Sequence, residues 1–252
     1  MDKQAYPILE YDGCRTAKLN PEELPERKLE TDRLVVTFFP EVVRKLLDTG
    51  AIVPARTIEG ENPILLYRFR DADTLLTLGA IGCPACAGNL DLLHAMGIEK
   101  VMFCGGGGVL DSGIGVGQLL VVDGAIRDEG FSYHYLPPSR CVMADPAVTA
   151  VITDHLTRRG IPFLRGLTWT TDAMFRETEE RILRRRAEGA RIVEMEQAGC
   201  LAVARFRGFA YGALIYGGDD VSGGEWAPRS WRSRESIRFD LVQLCRELAE
   251  LL

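Results

Sequence analysis

Glu194-Met195-Glu196 follows the apolar pair Ile192-Val193 and runs directly into Gln197-Ala198-Gly199-Cys200, a helix-like stretch. On an extended chain, residues two apart face the same side. Glu194 and Glu196 so arranged offer two carboxylates to the paired hydroxyls of a sugar, with Met195 as a soft apolar surface between them. Acids at a helix start, favoured there by the helix dipole, fit the same tripeptide. A second constellation comes later in the chain. Tyr211–Tyr216 reads as a buried strand, and Gly217-Gly218-Asp219-Asp220 follows it. In open α/β sheets ligands bind beyond the carboxyl ends of strands. Adjacent carboxylates repel, which favours a retained proton on one of them, and a protonated Asp can donate to a leaving nitrogen. A solvated Asp-Gly turn is the plain alternative.

Other candidates carry less. Gly105-Gly106-Gly107-Gly108 follows the short apolar strand Val101–Cys104. Such a run lets backbone N–H groups approach an anion or a sugar, or it is a tight small-residue strand exit. Gly113-Ile114-Gly115-Val116-Gly117 lacks dinucleotide-fingerprint spacing and reads as a loop. Cys83-Pro84-Ala85-Cys86 has no second cysteine pair to complete a zinc site, so buried thiols are expected and no metal. His94 and His155 fall within expected helices, whereas His134 lies in a loop. The cluster Arg181, Arg184, Arg185 and Arg186 is flanked by glutamates at helical spacing and is explained by pairing within the helix.

The elements that must position these groups alternate. Strands are expected at 33–38, 63–69, 74–78, 101–104, 119–122, 161–167, 192–196 and 211–216. Helices are expected at 40–48, 85–96, 146–159, 179–187, 197–206 and 236–252. Pro40 and Pro146 sit at helix starts, and Gly50, Gly97 and Gly160 lie just past helix ends. Alternation of this kind implies a sheet covered on both faces. Residues 1–30 are polar and proline-dotted and read as an arm, leaving 31–252 as one domain. The chain has 252 residues, of which 46% are hydrophobic, enough for a sizeable core, and a net charge of −6, which gives no reason to expect nucleic-acid binding. No apolar run is long enough for a membrane span, the start is polar rather than signal-like, and seven cysteines, an odd number, suit a reducing cytoplasm.

Taken together, the Glu194-Met195-Glu196 run and the strand-end Asp219-Asp220 resemble the nucleoside phosphorylase and nucleosidase superfamily. Val122–Tyr135 is similar to its mid-chain strand and loop, closest to the uridine-phosphorylase-like branch, and Trp169–Thr178 is similar to its base-pocket loop. The matches are collinear from about Phe38 to the C-terminus. The resemblance implies a three-layer α/β/α domain with a central mixed, largely parallel sheet, and cleavage of a nucleoside N-glycosidic bond without a cofactor. It implies Glu196 on the ribose 2′- and 3′-hydroxyls, Met195 beside the sugar, Asp220 as the acid near the base, and Asp219 where purine-type members often have Ser. Uridine-specific members generally lack the acid, so Asp220 favours a purine or a broader choice. Phe175 would stack on the base, and Arg176 or Glu177 would read its edge. The resemblance also implies a cytoplasmic homo-oligomer built from dimers, up to a hexamer.

The phosphate site departs from that pattern. Phosphorylases of the family usually carry a Pro-Gly-Asp-Pro-like loop after the first strand, where this chain has Phe38-Phe39-Pro40-Glu41, and an Arg where it has Phe103. Phosphate binding leans on arginine. Arg56 falls near where a neighbouring subunit's phosphate ligand is expected, and Arg44 or Arg127 are substitutes. Inorganic phosphate is the first expectation for the nucleophile. Water, with Glu41 as a carboxylate base, and a non-catalytic nucleoside-binding protein are the alternatives.

Overall fold

Each buried strand alternates between two apolar cores, one on each face of a single sheet. Leu34 and Val36, Val101 and Phe103, and Ala213 and Ile215 face one core, packed against Cys86, Ala87, Leu90 and Leu93 of one helix and Ala198, Leu201 and Val203 of another. Val35, Met102, Cys104, Leu214 and Tyr216 face the other, packed against Val42, Val43 and Leu46, Val148, Ile152 and Leu156, and Leu241, Val242, Leu244 and Leu248. The period-two alternation of the strands thus sets a three-layer α/β/α arrangement. The computed structural model describes residues 3–24 and 28–252. Met1, Asp2 and Pro25, Glu26 and Arg27 of the expected arm lie outside the described residues.

Among the described residues the chain forms β1 (Arg33–Thr37), α1 (Pro40–Asp48), β2 (Ile52–Ile58), β3 (Ile64–Phe69), β4 (Leu75–Leu78), α2 (Cys83–Ala95), β5 (Lys100–Val109), β6 (Leu119–Asp128), β7 (Cys141–Met143), α3 (Pro146–Arg158), β8 (Phe163–Thr171), α4 (Glu179–Ala187), β9 (Ala190–Glu194), α5 (Gln197–Arg207), β10 (Ala210–Asp220) and α6 (Glu235–Leu251). The helix ends follow local chemistry. Asp145 caps α3 by accepting the N–H of Ala147, with Pro146 in the first turn. Gly208, at φ 95°, ends α5 in the left-handed region that glycine tolerates.

The sheet is mixed. β1 pairs parallel to β4 and β5, β10 to β5, β6 to β8, and β8 to β9. The pairs β10–β6, β2–β3, β3–β4, β5–β9 and β6–β7 are antiparallel. Five strands close on themselves in the order β5, β10, β6, β8, β9 and back to β5, while β1, β4, β3 and β2 extend from β5. β5 sits at the junction. It pairs with β1 through Lys100–Cys104 and with β9 only at Gly108 and Val109.

That junction explains a departure from expectation. The glycine run is not a strand exit, because all four glycines lie inside β5. A Cβ on Gly106 would sit 2.8 Å from the Tyr216 ring, and one on Gly107 would sit 2.5 Å from the Val193 carbonyl oxygen. The run is glycine so that β10 and β9 can both close onto one strand. β2 and β7 were not expected from the sequence, and β6 continues well beyond Val122 to Asp128. The described part of the arm lies on its own chain: Arg15 donates to the Phe206 carbonyl, at 2.6 Å, and Glu22 pairs with Arg207.

Candidate active site

β9 brings Glu194 to the start of α5, and both its oxygens are engaged there. Oε1 accepts from the Thr170 hydroxyl at the end of β8. Oε2 accepts from the backbone N–H of Glu196, at 2.6 Å, and of Gln197, at 2.7 Å. A helix leaves its first amides without internal partners, and Glu194 satisfies them from the preceding strand. The strand ends at Glu194, and Glu196 is already the N-cap residue of α5, at φ −131° and ψ −31°. The two carboxylates therefore do not share one strand face as the i, i+2 spacing suggested. The helix starts between them and turns Glu196 elsewhere.

Glu196 is buried, and its Oε1 accepts the N–H of Gly82 at 2.8 Å. Gly82, at φ 92°, is the N-cap of α2, so the carboxyl lies between the starts of two helices. The Cys83 thiol donates to the carbonyls of Met195 and Glu196, at 3.4 and 3.5 Å. Burial pushes both carboxyls above the ordinary range, and Glu194 pushes Glu196 further. Glu194 has more donors to hold its charge than Glu196 does, so Glu196 takes the proton first. Met195 stays partly exposed beside them.

The second constellation lies across β5. Val109 pairs with Asp220 of β10 on one side and with Ile192 of β9 on the other. Asp220 and Ile192 thus stand two strand spacings apart, about 10 Å, and β9, antiparallel to β5, runs from Ile192 back along β5 to Glu194. Asp220 Oδ1 accepts from the backbone N–H and hydroxyl of Ser222, at 2.8 and 2.6 Å, and its Oδ2 lies 4.0 Å from Arg229. Arg229 also donates to the Gly218 and Ile114 carbonyls, and it and Ser230 hold φ 47° and 51°, a region disfavoured for residues with a side chain. Asp219 points another way and accepts the Trp226 indole N–H at 2.6 Å. Glu177 comes from the base-pocket loop. Its pKa is raised to about 7, first by burial and then by the charge of Asp219. That shift joins the loop after β8 to the end of β10. Phe175 and Arg176 on the same loop are exposed.

The phosphate candidates go to separate places. Arg127 is buried, and its guanidinium donates to Ser132, Pro137, Leu136 and Ser139, clamping the loop after β6. This employment is structural, and it corrects the expectation that Arg127 is available to an anion. Arg44 is exposed on α1. Arg56 lies on β2, four strands from β5 in the sheet order, and lines a cavity of about 710 Å³ with Lys28, Glu30 and Arg68. Glu41 is paired with the buried Arg238, which also donates to the Tyr216 hydroxyl at 2.9 Å. Phe38 and Phe103 pack ring on ring, 5.1 Å between centroids, and Phe38 covers the α-carbon of Gly79. Gly105 is buried within β5, and Gly106 is half-buried under Tyr216. His134 is exposed.

The profile of the Phosphorylase superfamily matches residues 32–250. The chain belongs to the Phosphorylase superfamily. It is 26% identical over 154 residues to the guanosine phosphorylase of Halorubrum lacusprofundi, covering 61% of this chain and 64% of that protein. It is 27% identical over 108 residues to the uridine phosphorylase of Thermococcus kodakarensis, covering 43% and 39%. The matched segments therefore span less than two thirds of these relatives. Among solved structures, the purine nucleoside phosphorylase of Toxoplasma gondii in complex with immucillin-H superimposes with a TM-score of 0.71 at 16% identity, over 88% of this chain and 93% of that one. The uridine phosphorylase of Vibrio fischeri gives 0.69 at 19%, over 87% and 89%. At these identities the likeness is one of fold.

Several residues of this superfamily member's candidate site carry no sequence signal. Gly82 precedes Cys83-Pro84 without any motif, yet it holds Glu196. Thr170 and Glu129 fall within the Trp169–Thr178 and Val122–Tyr135 stretches of the resemblance, yet their residue types single neither of them out. Glu129 is buried, accepts from Ser132, and its charge helps raise the Cys83 thiol far above its usual value. Among the described residues, no group of three or more His, Cys, Asp or Glu side chains is arranged to hold a metal ion, and no helix is long and apolar enough to cross a membrane.

Proposed function

We propose that the protein cleaves the N-glycosidic bond of a nucleoside by phosphorolysis, giving free base and ribose 1-phosphate. The observation that supports this reading is the pairing of Val109 with both Asp220 and Ile192, which brings β10, carrying Asp220, and β9, leading into Glu194 and Glu196, onto opposite edges of β5. A nucleoside spans that gap with its ribose towards Glu196 and its base towards Asp220 and Glu177. Glu196 accepts from the ribose hydroxyls with Met195 against the ring, and Glu194 orients the helix start that carries them. As the C1′–N bond breaks, its electron pair leaves with the base and the Asp220 proton goes to the base nitrogen. A phosphate oxygen bonds to C1′, where positive charge develops in such reactions. Asp219 fixes the charge beside Glu177, which reads the base edge. The names of the guanosine and uridine phosphorylase relatives favour phosphate as the acceptor, and no cofactor is required.

One observation favours water as a second reading. The Phe38–Phe103 pair lies where the resemblance leads one to expect phosphate ligands, and an apolar wall gives a dianion no partner. A panel of purine and pyrimidine nucleosides, assayed for free base with and without phosphate, separates the readings. Phosphorolysis requires base release that depends on phosphate and an equal yield of pentose 1-phosphate. Release at the same rate without phosphate replaces it with hydrolysis, and no release from any nucleoside removes both.

A further inference from the structure

Trp226 is a large apolar side chain left 63% exposed, and it is not loose. Its indole N–H donates to Asp219 at 2.6 Å. The backbone beside it is fastened as well, since Ala227 and Asp220 exchange two hydrogen bonds of 2.8 and 2.9 Å. These bonds close residues 221–226, which include Gly223 and Gly224, into a short loop at the end of β10. Arg229 ties the far side of that loop to the Gly218 carbonyl. The charge of Asp219 also raises Glu177 on the loop after β8, and two residues before Glu177 on that loop Phe175 is 93% exposed. An indole held by its edge at this acidic strand end leaves its face open.

From this geometry we propose that Trp226 is a specificity-determining residue whose indole stacks on the nucleobase, with Asp219 as the latch that sets the ring's angle. The proposal rests on the nucleoside reading above for the identity of its ligand. A flat aromatic ligand is the chemistry that an exposed indole face takes, because stacking rewards a π-face whatever its substituents. An aliphatic ligand would not need the ring fixed by its edge. The latch also explains why Asp219 turns away from Asp220. It is employed in aiming Trp226, and it leaves Asp220 to Ser222 and Arg229.

Tryptophan emission tests this directly, because the chain has three tryptophans and they differ in setting. Trp169 is fully buried, Trp231 is half-buried, and Trp226 is the exposed one. Addition of hypoxanthine or uracil to the wild-type protein is expected to quench emission. In Trp226→Phe that quench is lost while the other two tryptophans remain. Trp226→Ala is expected to raise KM for a cleaved nucleoside by roughly five- to a hundredfold with a smaller change in kcat, and Trp226→Phe, which keeps a ring, to recover most of it. A full quench retained in Trp226→Phe, or a wild-type KM in Trp226→Ala, overturns the proposal. The two readings fail separately. If the wild-type protein cleaves no nucleoside yet shows a quench that Trp226→Phe abolishes, the stacking role stands and the reaction falls.

Discussion

Replacing Glu196 by Gln tests the sugar role and the electrostatics of the site in one variant, with effects of opposite sign. Gln has the shape of Glu and keeps an oxygen for the Gly82 N–H, so the starts of α2 and α5 remain joined. The charge is lost. A hydrogen bond to a charged acceptor contributes about 1.5–3 kcal/mol, which is roughly ten- to a hundredfold in kcat/KM. More of that loss should fall in kcat than in KM, because positive charge grows on the sugar ring only towards the transition state. Stability moves the other way. Burial and Glu194 raise the Glu196 carboxyl above its unfolded value. Its contribution is therefore fully present below about pH 4.3 and is lost as pH rises through the raised value. Glu196→Gln removes that loss. Its denaturant midpoint should match the wild type near about pH 4 and exceed it at about pH 8, with an unchanged m-value. The measurements are base release across nucleoside concentration and urea unfolding at the two pH values. An unchanged kcat/KM refutes the sugar role. A variant less stable than the wild type at about pH 8 refutes the account of a charge buried at a cost.

Asp220→Asn should lower kcat for purine nucleosides by about 10²–10⁴-fold with little change in KM, since Asn cannot pass a proton to the base; steady-state kinetics will show it, and an Asp219→Asn variant worse than Asp220→Asn would reverse their roles. Glu177, at about 7, lies above its unfolded value, so its stability contribution is present below about pH 4.3 and lost as pH rises through about 7. Nucleoside binding should inflect near that pH, Glu177→Gln should remove the inflection, and Asp219→Asn should shift it down. Closed dimer-based symmetry is expected in analytical ultracentrifugation at micromolar concentration, and a fully active monomer would contradict it.

The layers of this fold were legible because the period-two strands and capped helices obey local rules. Asp145-Pro146 and the Gly50, Gly97 and Gly160 stops mark α3, α1 and α2 correctly. β2 was not legible: Pro54 and Arg56 break its alternation, and it is an edge strand paired only with β3. The candidate site was legible as residue types more than as geometry. Glu194 and Glu196 were identified, yet their spacing suggested one face, because nothing in Glu-Met-Glu says that α5 begins inside it. Arg127 looked like a free cation because the loop that consumes its donors, Ser132 to Ser139, has no motif of its own. Gly82 contributes through a contact made 114 residues along the chain, a separation no local pattern encodes.

The glycine run joins fold to site in a way neither reading of the sequence foresaw. Taken as a ligand cradle, Gly105–Gly108 would face an anion. Taken as a tight strand exit, it would lie beyond β5. In β5 it is neither. β1 stops at Thr37, opposite Cys104, and β9 takes up the same edge from Gly108. On the other edge β10 follows β5 along nearly its whole length, to the Asp220–Val109 pair. Three strands can converge on one only if that one has no side chains where they meet. Tyr216 occupies the space above Gly106, and the Val193 backbone occupies the space above Gly107. The close approach of β10 and β9 to β5 therefore depends on the absence of two β-carbons. A side chain at Gly107 would press on the carbonyl immediately before Glu194, and through its bonds to the α5 amides the shift would reach Glu196. The candidate site residues of this chain are acids, and the glycines of β5 let the strands that carry them meet.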